Sequence, residues 1–115
     1  MTNNEIDYQL ALAIGYLPQN VQTIGSALSF VAVRDDKYKD GDISWWRFDH
    51  QNPSVILPIM EMYNVFPYRV PQNLSMAGLY CAFFSRAVLN SETNHKNPRT
   101  AVALAVLKAA EKGLL

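Results

Sequence analysis

The sequence predicts an α+β fold: an antiparallel four-stranded sheet with helices packed on it, in the order α-β-β-α-β-β-α, over residues 1–115 as one domain. Three observations predict it. Asn52-Pro53 and Asn97-Pro98 each open an apolar run of helical period, because Asn caps a helix and Pro suits its first position. Strand-forming runs come in two pairs between the helices. An Asp-Gly pair, Asp40-Gly41, marks a turn inside the first of those pairs.

The first element is a helix over residues 4–16. Thr2 and Glu5 stand at capping-box spacing, and Glu5 and Asp7 suit the positive end of the helix dipole. Ile6, Leu10, Ile14 and Leu17 fall on one face, while Gly15 weakens the last turn and Pro18 stops it. Ala27 to Arg34 reads as a strand with Leu28, Phe30 and Ala32 on one side and Val31 and Val33 on the other. The polar loop Asp35 to Asp42 leads to a return strand, Ile43 to Phe48. Alternation there sets Trp46 and Phe48 on one face and Trp45 and Arg47 on the opposite one, so one tryptophan is expected in the core and the other exposed.

In the second helix Val55, Ile56, Ile59, Met60 and Tyr63 form the apolar stripe, and Pro58 removes one backbone bond and is expected to kink it. Val65 to Val70 and Leu79 to Val88 are the last two strands, paired antiparallel across a long connection. Ala101 to Ala110 forms a closing helix whose alanines allow close packing, with Gly113 as terminator. Tyr63, Phe66, Tyr68, Tyr80, Phe83 and Phe84 are expected mostly in the core.

Composition narrows the function classes. Ten basic and ten acidic residues give zero formal charge, so there is no strong nucleic-acid signature and no acidic mimic of one. The charged fraction of 17% lies below the usual quarter, which leaves room for an exposed apolar patch facing a partner or a second copy. The single cysteine, Cys81, excludes an internal disulfide; its apolar surroundings suggest an inert core thiol. No secretory leader is read at Met1-Thr2-Asn3 and no run reaches the ~20 apolar residues of a membrane span, so the expectation is a cytoplasmic protein without a membrane partner.

Taken together, Leu12-Ala13-Ile14-Gly15-Tyr16, the run Phe48-Asp49-His50-Gln51-Asn52-Pro53 continuing to Asn64, and Asn97-Pro98-Arg99-Thr100-Ala101 continuing to Ala109 resemble the small bacteriophage and prophage proteins of the phage ABA-sandwich and NinX-like type. The likeness spans most of the chain, through short apolar motifs. Arg99-Thr100 departs from it, standing where an apolar residue commonly follows the closing helix's Pro. The resemblance implies a three-layer α/β/α sandwich and a phage accessory role. It implies no catalytic residues.

No P-loop, Gly-x-Gly-x-x-Gly or Gly-x-Ser-x-Gly is present. Asp49 and His50 are neighbours and point apart as a catalytic pair; Asp49 instead suits the turn into the second helix. Nothing in the spacing of His50 and His95 predicts a metal site. The expectation is therefore no enzyme, no cofactor and no metal.

Trp45 and Arg47, with Tyr38 and Lys39 in the hairpin loop, are the candidate partner contacts, since Trp and Arg dominate interface hot spots. The bland alternative makes both tryptophans core and Arg47 a solvated strand residue. The leading functional expectation is stoichiometric binding to a bacterial host protein or complex, with inhibition of a host defence complex as its specific form. A second reading is a small-ligand module sequestering a nucleotide, with Arg69, Arg86 and Lys96 as phosphate partners. A virion assembly component and a homo-oligomer are weaker options.

Overall fold

Thr2 starts the first helix as the spacing predicts. Its hydroxyl accepts from the Glu5 amide at 3.2 Å and donates to the Glu5 carboxylate at 3.1 Å. In a computed structural model that describes residues 1–34, 45–70, 79–83 and 95–115, the chain packs as two compact units, Met1–Asp49 and His50–Leu115.

The first unit contains α1 (Asn3–Ala13) and a three-stranded antiparallel sheet of β1 (Val21–Ile24), β2 (Phe30–Val33) and β3 (Trp46–Arg47), in that order. The helix ends at Ile14 because Gly15 turns to φ 117°, and Pro18 then opens a short 3-10 turn. Leu17, expected on the helix's apolar face, lies beyond it and is exposed. β1 pairs with β2 as Val21↔Val33 through Ile24↔Phe30, and β2 with β3 as Ala32↔Arg47 and Val33↔Trp46. Strand alternation sends Val21, Val31, Val33 and Phe48 to the side where α1 supplies Ile6, Leu10 and Ala11, and all seven are buried. Tyr16 closes this core edge-on to Phe48, ring centroids 6.0 Å apart.

The second unit contains α2 (Pro53–Tyr63), the antiparallel ribbon of β4 (Phe66–Arg69) and β5 (Tyr80–Phe83), and α3 (Pro98–Glu111). Asn52 caps α2 through the Ser54 amide, and Asn97 caps α3 through the Arg99 and Thr100 amides, as their Asn-Pro starts predict. Asn64 at φ 53° ends α2. α3 lies against the ribbon and α2; Val102, Ala103, Ala105 and Val106 are all fully buried, so its alanines do allow close approach.

Among the described residues the outer side of β4 has no strand partner, and it has a particular chemistry. Val70 donates to the Leu79 carbonyl, and the Tyr68↔Cys81 pairing two residues on keeps that parity. Pro67 and Arg69 therefore turn their backbone groups away from β5, and at Pro67 there is no N–H to offer. On β5's other side Tyr80 exchanges two backbone bonds with His95, at 2.7 and 2.9 Å.

Four expectations need correction. The four-stranded sheet is instead a three-stranded sheet and a two-stranded ribbon, because β1, unread in the sequence, pairs with β2. The strand read from Ala27 begins at Phe30. Gly25 turns at φ 93°, residues 25–29 form the connection, and Leu28 is 92% exposed. The core assignment of the aromatic group fails at Phe66 and Tyr68, which are exposed on the ribbon face turned away from Ala82 and α3. Cys81 shares that outer face and is half-buried, not a core thiol. Phe84 and the remainder of the strand read to Val88 lie outside the described residues.

Candidate partner-binding face

The face of the three-stranded sheet opposite α1 brings the sequence's leading candidates together. Parity along β2 puts Phe30, Ala32 and Arg34 on this face, and the register sets Arg47 opposite Ala32. Continued by one residue, the same register sets Trp45 opposite Arg34. The contacts agree: the Arg34 guanidinium stands 5.1 Å from the Trp45 ring centroid, and the Arg47 guanidinium 5.5 Å from that of Phe30. Two cation–aromatic pairs thus alternate across β2 and β3.

Among the described residues each guanidinium has a further polar contact. Arg34 Nε donates to Asn20 Oδ1 at 2.7 Å, which fixes the plane of the group from the side of β1. Arg47 approaches the Asp49 carboxylate at 3.8 Å, with its side chain 65% exposed. A pair so long and so wet is worth at most about 1 kcal/mol. Arg34 and Trp45 are half-buried.

The expected division of the tryptophans is half right. Trp45 and Arg47 do share a face, with Trp46 on the other, but neither tryptophan is core: Trp46 is 39% exposed. β3 is a two-residue edge strand, so the α1-covered interior extends to Phe48 without enclosing Trp46. Tyr38 and Lys39 lie outside the described residues, as does the loop that carries them. Arg34 and Phe30 are members that the sequence reading did not assign to the site. Their signal was the parity Phe30-Ala32-Arg34, which becomes informative only with the strand register.

Asp49 approaches Arg47, and Asn52 caps α2 as read from the sequence. Asp49 and Asp7, the latter buried on α1, bring carboxylate oxygens within 4.8 Å of each other. Two carboxylates by themselves do not define a metal site.

The second unit holds its own polar cluster. His50 is fully buried, with Nε2 3.0 Å from Thr100 Oγ1 and 2.9 Å from Gln51 Nε2; Gln51 Nε2 also donates to Thr100 Oγ1 at 2.7 Å. With the amide placed this way the ring accepts at Nε2. The triangle ties the entry of α2 to the first turn of α3. Thr100 is thus a buried hydrogen-bonding partner. This hydroxyl–imidazole pair resembles a nucleophile and base, yet the His50 ring presents no surface to a substrate. His95 is exposed and accepts the Asn97 amide at Nδ1, so the two histidines serve different partners.

The residues of the nucleotide reading do not converge. Arg69 stands opposite Tyr80 on one flank of β5, and Lys96 follows His95 on the other, so their backbones are separated by about two strand spacings, roughly 9–10 Å. Arg86 lies outside the described residues. The first-turn amides of α3 are also occupied: Arg99 and Thr100 donate to the Asn97 side chain, Ala101 to its carbonyl, and Pro98 has none. A cleft of about 210 Å³ between α1 and β1 is lined by Asn4, Glu5, Tyr8, Gln9 and Thr23. Its one formal charge is negative, which repels a phosphate.

Among the described residues no helix is long and apolar enough to cross a membrane. No protein-family model, curated protein or solved structure matches the chain.

Proposed function

We propose that this protein is a non-catalytic binding module whose partner docks on the aromatic–guanidinium face of its three-stranded sheet. The observation that carries the proposal is the placement of Trp45 and Arg47 on one face, interleaved with Phe30 and Arg34, with Arg47 left 65% exposed. Arg and Trp side chains braced in this way lose little freedom on binding, which favours hot-spot behaviour. The likeness to phage accessory proteins supplies the setting: a bacterial host protein as the partner, held stoichiometrically, with a host defence complex as the specific target. Sequestration of His50 and Thr100 favours binding over catalysis.

Affinity capture from bacterial lysate, with the wild-type chain and with Arg47→Ala and Trp45→Ala, tests the proposal. One stoichiometric host complex is expected with the wild-type chain and its loss with either variant. Arg47→Ala, an exposed change, should stay within ~0.5 kcal/mol of wild-type stability. Recovery of the chain alone, or undiminished capture by both variants, defeats the reading.

A further inference from the structure

We infer a second docking surface, at the outer edge of β1. There an extended segment of a partner protein adds as a further strand and sets a lysine or arginine side chain into the cleft beside α1. Two separate observations, an open edge and a cleft, meet at Thr23.

The edge follows from the hydrogen bonds. The Arg34 amide donates to the Asn20 carbonyl at 3.0 Å, and the register carries that parity to Gln22↔Ala32 and Ile24↔Phe30. On the other side of β2 the Phe48 amide donates to the Val31 carbonyl, so Val31, which stands opposite Thr23, bonds toward β3. Val21 and Thr23 therefore turn their backbone groups away from β2. The Val21 N–H turns back to the Pro18 carbonyl. The Val21 carbonyl and both Thr23 groups face a side of the sheet that has no strand among the described residues. Edge strands ordinarily carry a guard, as β4 does in Pro67, but Val21–Ile24 contains neither a proline nor a charge.

The cleft lies along the same edge. Thr23 shares the α1 side of the sheet with Val21, yet Val21 is buried and Thr23 is exposed. With Asn4, Glu5, Tyr8 and Gln9 it lines the space of about 210 Å³ between α1 and β1. A residue that exchanges two backbone bonds with Thr23 in an antiparallel pair puts its own side chain on that side, into the cleft.

The occupant follows from this chemistry. Backbone donors and acceptors along a strand edge select an extended chain. Glu5 is the one formal charge in the cleft; it is exposed, and its carboxylate accepts from the neutral Thr2 hydroxyl at 3.1 Å. It suits the cationic tip of a lysine or arginine, whose stem can lie along the Tyr8 ring. The attraction is that of one exposed carboxylate, so the backbone bonds supply affinity and Glu5 supplies preference. A second copy presenting its own β1 would bring Val21-Gln22-Thr23-Ile24, which holds no cation for Glu5.

The test is selection of random displayed dodecapeptides on the intact protein, followed by titration of a synthetic copy of the leading peptide. Peptides rich in β-branched residues around a Lys or Arg are expected. Thr23→Pro deletes the outward N–H and no bond to β2, and it should weaken the peptide about tenfold, the loss of one backbone bond. If circular dichroism shows that Thr23→Pro does not fold, N-methylation of the peptide decides. Moved along the peptide one amide at a time, the methyl should weaken binding at alternate positions only. Glu5→Gln, which keeps the capping spacing with Thr2, should weaken the peptide about two- to fivefold. An empty selection, peptides without basic excess, or affinity indifferent to both the proline and the methyl groups overturns the inference. So does a dimer of the wild-type chain that Thr23→Pro dissociates, because the occupant is then a second copy. Peptides that ignore Thr23→Pro but are lost with Arg47→Ala bind the aromatic–guanidinium face; a selection yielding only these removes the β1 surface and leaves the proposed function standing.

Discussion

Replacing Thr100 by valine isolates the value of the buried triangle around His50. The two side chains have nearly the same volume, so Thr100→Val opens no cavity and changes only the hydroxyl. Two bonds disappear, those to Gln51 Nε2 at 2.7 Å and to His50 Nε2 at 3.0 Å. Gln51 is only half-buried and can turn its amide to water, so its loss is small. His50 has no surface, but its Nε2 keeps the Gln51 amide. The cost should therefore fall inside the 1–3 kcal/mol range for a weakened buried polar site, at about 2 kcal/mol, or roughly 8 °C in Tm for a chain of this size. Urea denaturation at unchanged m-value is the assay. Thr100→Val combined with Gln51→Leu sharpens the argument: either single change leaves Nε2 one of these two partners, and the pair leaves it neither. The double variant should lose more than the sum of the singles, by about 1 kcal/mol. A Thr100→Val protein as stable as the wild type, or a strictly additive cycle, would refute the account of how α2 and α3 are joined.

Other changes follow from local geometry. Asn97→Ala removes the acceptor of two α3 amides and should cost about 1–2 kcal/mol by thermal melting, whereas Asn97→Asp should be nearly neutral. Gly15→Ala meets no atom within 4 Å, so its cost is purely that of φ 117° for an L-residue. It should lower stability by at least about 1 kcal/mol with no change in the fold seen by circular dichroism.

The legible parts of the fold were those written locally. Both Asn-Pro helix starts are as read, because a cap and a first-turn proline act within three residues of each other. The alternation separating Trp45 from Trp46 also holds, since pleating is a property of one strand. What could not be read was partnership. Val21-Gln22-Thr23-Ile24 is too short and too polar to declare itself a strand, and it becomes one by pairing with Phe30 to Val33. The described strands form a three-stranded sheet and a two-stranded ribbon in place of the four-stranded arrangement. The site shows the same divide. Trp45 and Arg47 were visible as residue types, while Arg34 and Phe30 joined them only through cross-strand register. His50 was visible as a histidine, but its burial against Thr100 depends on a contact fifty residues distant.

Pro67 gives the ribbon a consequence for life in a crowded solution. Phe66 and Tyr68 offer exposed rings on a strand that is an edge among the described residues, the combination from which intermolecular stacking ordinarily grows. A neighbouring chain that laid a strand along β4 would find the Arg69 N–H as the one donor within Phe66–Arg69, beside a charged side chain. The rings can stick, but the backbone cannot be copied. Contacts made there should stay side-chain deep and reversible, and the proline acts as a gatekeeper against fibre growth.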